Sequence, residues 1–202
     1  MLIEQIHQLG REAGLSHACS SQACEQINQY FGARAAWNQT HNIAGPQAVG
    51  RPYEVDLIDG LALAQVLPAG SPLYDVGSGS GTPGLLVACL RPDLEICLVE
   101  PIAKRTAFLR HVSRLIGLRN LKVTRARWPV ALSTDCQVVS RAVVDPAKWP
   151  ALAVSGGPHV RTVVRMMAAN RPVMTVEGFV KTEALAYEGP ESSQRLIEVW
   201  NR

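Results

Sequence analysis

The sequence predicts a doubly wound α/β domain with a parallel sheet, preceded by a helical cap. Three observations predict it. From residue 71 onward, short apolar runs alternate with helical stretches. The first of those runs ends in a glycine-rich turn, "LYDVGSGSGTPG", residues 73–84. The second, "EICLVE" (95–100), is continuously apolar, as expected of a strand covered on both faces. The expected boundaries are 1–70 for the cap and 71–202 for the α/β domain.

Composition sets the frame. The 202 residues suffice for one ordinary domain with a small appendage, and 47% apolar residues can fill its core. A charged fraction of 18% argues against a disordered chain. The net charge of +3 permits a nucleic-acid partner without demanding one. The cysteines, at 19, 24, 89, 97 and 136, show no C-x-x-C spacing and point to a reduced, intracellular and hence cytoplasmic protein. The start, "MLIEQIHQLGREAG", is too polar for a secretory signal, and no apolar run reaches the roughly 18 residues of a membrane span.

In chain order, residues 2 to 37 read as helices, with serines fit to cap "CSSQACEQINQYF" and Ala23, Ile27, Tyr30 and Phe31 on one face. "IAGPQAVGRP" (43–52) reads as a loop and "VDLIDGLALAQVL" (55–67) as a helix. "LYDV" is a short strand. "PGLLVACL" is a helix with proline in its first turn, where a missing N–H costs nothing. After "EICLVE", the stretch "AKRTAFLRHVSRLIG" puts Phe108, Val112, Leu115 and Ile116 on one face, and "GLRN" ends it. "LKVTR" and "CQVVS" follow as strands, "PHVRTVVRMMAAN" (158–170) as a helix, "PVMTVEG" (172–178) and "RLIEVW" as the last strands.

The glycine turn carries the chemistry. Residues 79–84 spell G-x-G-x-x-G, which in a dinucleotide-binding fold sets backbone N–H groups against a pyrophosphate. Here Asp75 would stand beside that double negative charge. It suits a ligand with positive groups, and S-adenosylmethionine, with an ammonium, a sulfonium and no phosphate, is such a ligand. Asp75 capping the following turn is the alternative. Glu100 closes the second strand, where an acidic side chain takes both ribose hydroxyls of an adenosine, unless it is only an exposed strand end. Lys104 and Arg105 put two cations at a helix N-terminus against the macrodipole, which favours a functional reason for them. Trp128 reads equally as core or as an adenine stack. Arg110, Arg114, Arg119, Lys122 and Arg125 form either a solvated face or an RNA contact. Gly79 occupies the place where a nucleophile elbow needs serine, and the histidines form no H-E-x-x-H pattern, so no metal site is expected.

Taken together, "DVGSGSGTPG", "KRTAFLRHV" and "SRAV", with "AGLS" and "WNQTHN" before them, resemble the RsmG (GidB) family of 16S ribosomal RNA guanine-N7 methyltransferases. The resemblance runs over nearly the whole chain. It implies a class I methyltransferase (Rossmann-like) fold, S-adenosylmethionine as cofactor, and ribosomal RNA or the small ribosomal subunit as partner, with the chain expected as a monomer away from membranes. It implies cofactor contacts from Gly77 and Thr82, from Trp128 and Pro129, and from Arg141. Asp75, Ser78, Gly79, Gly81 and Glu100 join them from the residue reading. It implies a substrate side built from Asn42, Lys104, Arg127 and Arg141. Several positions depart from the family pattern. N-L-T reads Asn42-Ile43-Ala44, and the histidine of R-H-x-x-D-S is Asp56, within Val55 to Gly60. The acid expected near the adenine is Pro129, and the lysine of the late L-K-G is Glu177. A helix before the last hairpin is expected to be shortened or lost. Asp56 and Asp59 are candidates for helping, by charge, a purine that becomes cationic on methylation. The acidic changes at Asp56 and Glu177 also leave open a small-molecule or different RNA acceptor, and an inactive cofactor-binding module remains a third reading.

Overall fold

The computed structural model describes residues 2–17, 19–141, 143–170 and 175–202. Two long helices, α1 (Leu2–Glu12) and α2 (Ser21–His41), open the chain, followed by the short α3 (Pro46–Gly50). Residues 43–52, expected to be all loop, therefore contain a helical turn, started by Pro46 at a position that needs no N–H. Ser20, one of the serines expected to cap, takes the N-cap of α2 and accepts from the Ala23 N–H at 3.1 Å. A single π-turn, Tyr53–Leu57, runs into α4 (Ile58–Val66). Then come β1 (Leu73–Val76), α5 (Gly84–Leu90), β2 (Ile96–Val99), α6 (Ala103–Leu115), β3 (Leu121–Thr124) and β4 (Cys136–Ser140). The chain finishes with α7 (Trp149–Val154), β5 (Val160–Ala168), β6 (Val180–Glu188), a 3₁₀ turn at Pro190–Ser192 and β7 (Gln194–Asn201).

The strands form one seven-stranded sheet in the order β3-β2-β1-β4-β5-β7-β6. β1 pairs in parallel with both β2 and β4, so the chain reverses its direction of travel across the sheet at β1. That switch point leaves a crevice beyond the carboxyl ends of β1 and β4, where ligands of such sheets sit. The last two strands are antiparallel to their neighbours, so the expected all-parallel sheet is correct only as far as β5.

Two expected elements differ. Residues 160–168 are strand, not helix. Val160, Thr162, Val163 and Val164 are β-branched, and both faces of β5 are covered, which hides the alternation that marks a strand. Its Arg165 is buried and ion-paired at 3.0 Å with its register partner Glu198 on β7. Of the strand expected over 172–178, residues 172–174 lie outside the described residues and 175–178 run through a turn. β6 and α7 were not foreseen. β6 carries helix-forming residues, "TEALA", on an exposed edge where alternation is weak. As expected, no helix stands between β5 and β6 among the described residues.

The main core runs unbroken from the first helices into the sheet. It joins Ile6, Ile27, Tyr30 and Phe31 to Leu61, Leu63, Leu85, Leu98 and Phe108. Gly60 is a helix-crossing position, since a Cβ there would lie 2.8 Å from Leu86 Cβ. In α6, Phe108, Val112 and Ile116 are buried as expected, whereas Leu115 is 56% exposed. No described helix is long and apolar enough to cross a membrane.

Candidate functional site

The loop between β1 and α5 is shaped by backbone. Gly77, Gly79 and Gly81 have φ of 72°, 59° and 116°, in the region that L side chains avoid. Their surroundings differ. A Cβ on Gly77 would overlap Val143 of the segment after β4, and one on Gly81 would press at 3.2 Å on Leu85, Leu109 and the Tyr30 hydroxyl. A Cβ on Gly79 would point into open space, with only the Gly77 carbonyl within 4 Å. Gly77 and Gly81 serve close packing, while Gly79 keeps a cavity clear.

That cavity holds about 770 Å³ and lies at the carboxyl ends of β1, β2 and β4. Gly77, Ser78, Gly79, Ser80 and Thr82 form its floor. Val99, Ile102, Trp128, Val143 and Leu152 give it apolar walls, and Glu100, Arg105, Arg127 and Arg141 supply charge.

Two buried carboxylates hold the loop. Glu100, 2% exposed, accepts from the Gly79 N–H at 2.9 Å and the Ile102 N–H at 2.8 Å. It is no exposed strand end, and each oxygen keeps a lone pair to offer the cavity. Asp75 lies behind the loop, where its Oδ2 accepts from the Gly84 N–H at 2.9 Å and its Oδ1 has no hydrogen-bond partner among the described residues. The capping alternative is the observed one, and Asp75 does not line the cavity. Burial pushes its carboxyl up to about 7, against the pull of the Gly84 N–H and Arg141. Asp75, expected to face the ligand directly, instead acts on the loop from beneath.

The cap holds the same loop from the other side. The Tyr30 hydroxyl of α2 donates to the Ser80 carbonyl at 3.0 Å and lies 3.3 Å from Thr82 Oγ1. Beside it, Arg34, 1% exposed, pairs with Asp56 at 2.6 Å and also donates to the Ala48 carbonyl. Asp56 is fully buried, with its second oxygen 2.6 Å from Arg141. Arg141 reaches on to Asp59 at 2.8 Å, and Asp59 takes further hydrogen bonds from Arg195 and, at 2.8 Å, from the Tyr187 hydroxyl. Burial opposes the charge of Arg141, but Asp59 and Asp56 outweigh it and raise its pKa. Burial, reinforced by Asp59, raises that of Tyr187. Asp56 and Asp59 are thus occupied as counter-ions; neither lines the first cavity, and Asp59 lines the second.

The remaining expected site residues separate. Arg127 is exposed and lines the cavity, whereas Pro129 and Gly81 do not. Trp128 lines the cavity and packs against the second core cluster, and its Nε1 donates to the Leu152 carbonyl at 2.8 Å. Lys104 Nζ donates to the carbonyls of His41 at 2.7 Å and Asn42 at 3.2 Å, pinning the end of α2 to the start of α6. Asn42 is its left-handed C-cap, φ 45°, and offers its carbonyl there. Arg105 faces the cavity, with a buried Nε that has no hydrogen-bond partner among the described residues. Glu177 is exposed in a turn away from the cavity. Missed by sequence reading were Ile43, Ala44, Ile102 and Leu152, since apolar loop residues carry no pattern. Arg34 was missed too, although a lone arginine among Tyr30, Phe31 and Trp37 was a usable signal. No cluster of metal-ligating side chains occurs among the described residues.

A second cavity, also of about 770 Å³, opens on the far side of Arg141 and Val144, lined by Met166, Met167, Tyr187 and Arg195.

Strand order, reversed last strand and switch-point cavity together define a class I methyltransferase fold. The fold is shared with solved structures at low identity. A mutant of MtNAS in complex with S-adenosylmethionine matches 99% of this chain and 76% of its own at TM-score 0.56 and 13% identity. A SAM-dependent methyltransferase from Aquifex aeolicus matches 84% and 98% at TM-score 0.53 and 10% identity. The chain belongs to the GidB family, rRNA small subunit methyltransferase G, whose sequence model matches residues 23–154. Curated relatives named ribosomal RNA small subunit methyltransferase G include that of Bordetella avium, 32% identical over 87% of this chain and 80% of its own. That of Desulfotalea psychrophila is 37% identical over 68% of this chain. The matched region spans 66% of the Desulfotalea relative and 61% of the Acidothermus cellulolyticus one.

Proposed function

We propose that the chain is an S-adenosylmethionine-dependent methyltransferase acting on guanine N7 of 16S ribosomal RNA. Its working form is a cytoplasmic monomer in which residues 1–70 cap a methyltransferase unit of residues 71–202. The observation that carries the reading is the donor set of the first cavity: a space kept clear by Gly79, a buried Glu100 with free lone pairs, and apolar walls around Trp128. These fit an adenosine with a short charged tail. Glu100 takes the ribose hydroxyls, Trp128, Val99 and Ile102 pack the base, and the loop from Gly77 to Thr82 lies along the tail. Arg105, with its unpartnered Nε, is the cation available to a carboxylate.

The cofactor supplies an electrophilic methyl group on a sulfonium. Guanine N7 carries a free lone pair, so no side chain needs to remove a proton, and none in the site is placed as a general base. The residues act by holding acceptor and methyl in line. Arg141 stands between the two cavities and, fixed by Asp56 and Asp59, is the group best supported for that alignment. Arg127 at the cavity and the arginines of α6 serve the RNA backbone, with salt-dependent affinity.

The test has two arms. S-adenosylmethionine and S-adenosylhomocysteine at 100 times Kd stabilise the fold by about 2.7 kcal/mol, roughly 5–10 °C in Tm, and NAD does not. Labelled methyl then enters 16S ribosomal RNA. A Tm shift with NAD alone overturns the cofactor, and binding without methyl transfer to RNA overturns the acceptor.

A further inference from the structure

One aromatic cluster lies outside the cavities. The imidazoles of His41, at the end of α2, and His111, on α6, lie against the Trp37 indole. The ring centroids are 4.9 and 5.3 Å away, tilted 30° and 34°. Trp37 is half-buried and packs inward on Phe108 at 5.7 Å, while both histidines are exposed. The fold has thus set flat rings at the surface on a rigid base. Lys104, about two turns before His111 on α6, ties this surface to the cavity, because the carbonyls it holds belong to His41 and Asn42, and the next residues, Ile43 and Ala44, line the cavity wall. α6 carries Lys104, Arg105, Arg110 and Arg114 and no acidic residue.

Stacked rings beside an unopposed cationic helix match one chemistry. Single-stranded RNA offers planar bases with a phosphate on either side, and proteins hold it by stacking on aromatic side chains while cations track the backbone. Rings and arginines also suit a protein surface, but the run of cations without an acidic residue on α6 favours a phosphate-bearing partner, and a protein is an outcome of the test.

We infer that His41, Trp37 and His111 form a stacking platform for a nucleotide flanking the acceptor guanine, with Arg114 and Arg110 taking the adjoining phosphates. The inference rests on the RNA reading of the proposed function. The platform steers a neighbouring base so that the acceptor enters beside the cavity, and it is insensitive to which base it holds, since every base has a flat face.

The experiment uses the full chain and a 16S ribosomal RNA transcript, with filter binding over a series of salt concentrations and calorimetry with S-adenosylhomocysteine in parallel. The double variant His41→Ala/His111→Ala loses about tenfold or more in RNA affinity, in the range found for one stacked base, and keeps its S-adenosylhomocysteine affinity. His41→Phe/His111→Phe restores RNA binding with an unchanged salt slope. His41→Lys/His111→Lys does not restore it. The platform is overturned if the alanine variant binds RNA like wild type, or if lysine restores binding where phenylalanine fails. It is equally overturned if the alanine variant binds naked RNA normally and loses activity only on assembled subunits, since the surface would then meet protein. Wild-type chain that neither binds nor methylates RNA overturns the proposed function itself, a result distinct from all of these.

Discussion

The glycine loop floors the first cavity, the guanidinium chain reaches that cavity through Arg141, and the two are held by opposite means. In the loop, carboxylates grip backbone: Asp75 holds the Gly84 N–H, and Glu100 holds those of Gly79 and Ile102. In the chain, side chains grip side chains, from Arg34 through Asp56, Arg141 and Asp59 to Arg195. The first arrangement fixes a shape and leaves room for a ligand. The second fixes a charge and clamps α2, the π-turn, β4 and β7 around it. Losing a member should therefore cost binding in the loop and folding in the chain.

The sharpest way to break the contrast is Asp56→Ala. It leaves Arg34 buried without its counter-ion and Arg141 with one carboxylate fewer, and should cost about 3–5 kcal/mol. Urea unfolding measures this as a lower midpoint at constant slope. A loss under about 1 kcal/mol would mean that the guanidiniums find other partners and that the chain is not a clamp.

Within the loop, two glycines five residues apart should part company. Gly84→Val drives a side chain into Leu98 and Asp75, whose atoms lie 2.5 and 2.6 Å from a bare Cβ, and should cost about 2–4 kcal/mol of stability. Gly79→Val meets open space and pays mainly for its positive φ, about 1–2 kcal/mol, while filling the cavity and lowering S-adenosylmethionine affinity about 100-fold or more. Calorimetry and denaturation on both variants decide it. Unchanged affinity in Gly79→Val would remove the loop from the binding site.

The smallest effect is a pH dependence. The Asp75 carboxyl, raised to about 7, binds its proton more tightly folded than unfolded. Its contribution is complete below the ordinary carboxylate range near 4 and is lost as pH rises from there through 7. Asp75→Asn keeps an acceptor for the Gly84 N–H and cannot ionise. Relative to wild type it should gain about 1–2 kcal/mol between pH 5 and pH 8.5. Parallel Tm profiles would show a constant offset if Asp75 is already ionised at low pH.

The two regions also differ in how they are written in the sequence. The loop was legible because glycine is chosen for backbone conformation, and a positive φ at 77, 79 and 81 is a local demand. The guanidinium chain was not, since its pairs lie 22, 85 and 136 residues apart and nothing local marks Arg34 as the partner of Asp56. Asp56 and Asp59 were noticed, but as groups facing a substrate, because burial is invisible until the helices are placed. Elements followed the same rule. α6 carries its periodicity openly and α5 is marked by the proline before it, whereas β5 is covered on both faces and β6 lies on an exposed edge, so neither alternates clearly. Glu100 was legible in position, while the apolar wall from Ile43 to Leu152 became visible only when the chain closed around it.

Asp56 stands where the family pattern has histidine, and an extra negative charge there looked hostile to a polyanion. The buried chain counts differently. It contains three guanidiniums and two carboxylates, and the innermost pair, Arg34 with Asp56, cancels out of reach of water. The surplus positive charge is left with Arg141 and Arg195, whose side chains are 26% and 23% exposed where the two cavities open. Asp145 offsets that surplus at the second cavity, whereas at the first Arg141 stands with Arg105 and Arg127 against Glu100, so an approaching phosphate meets attraction there.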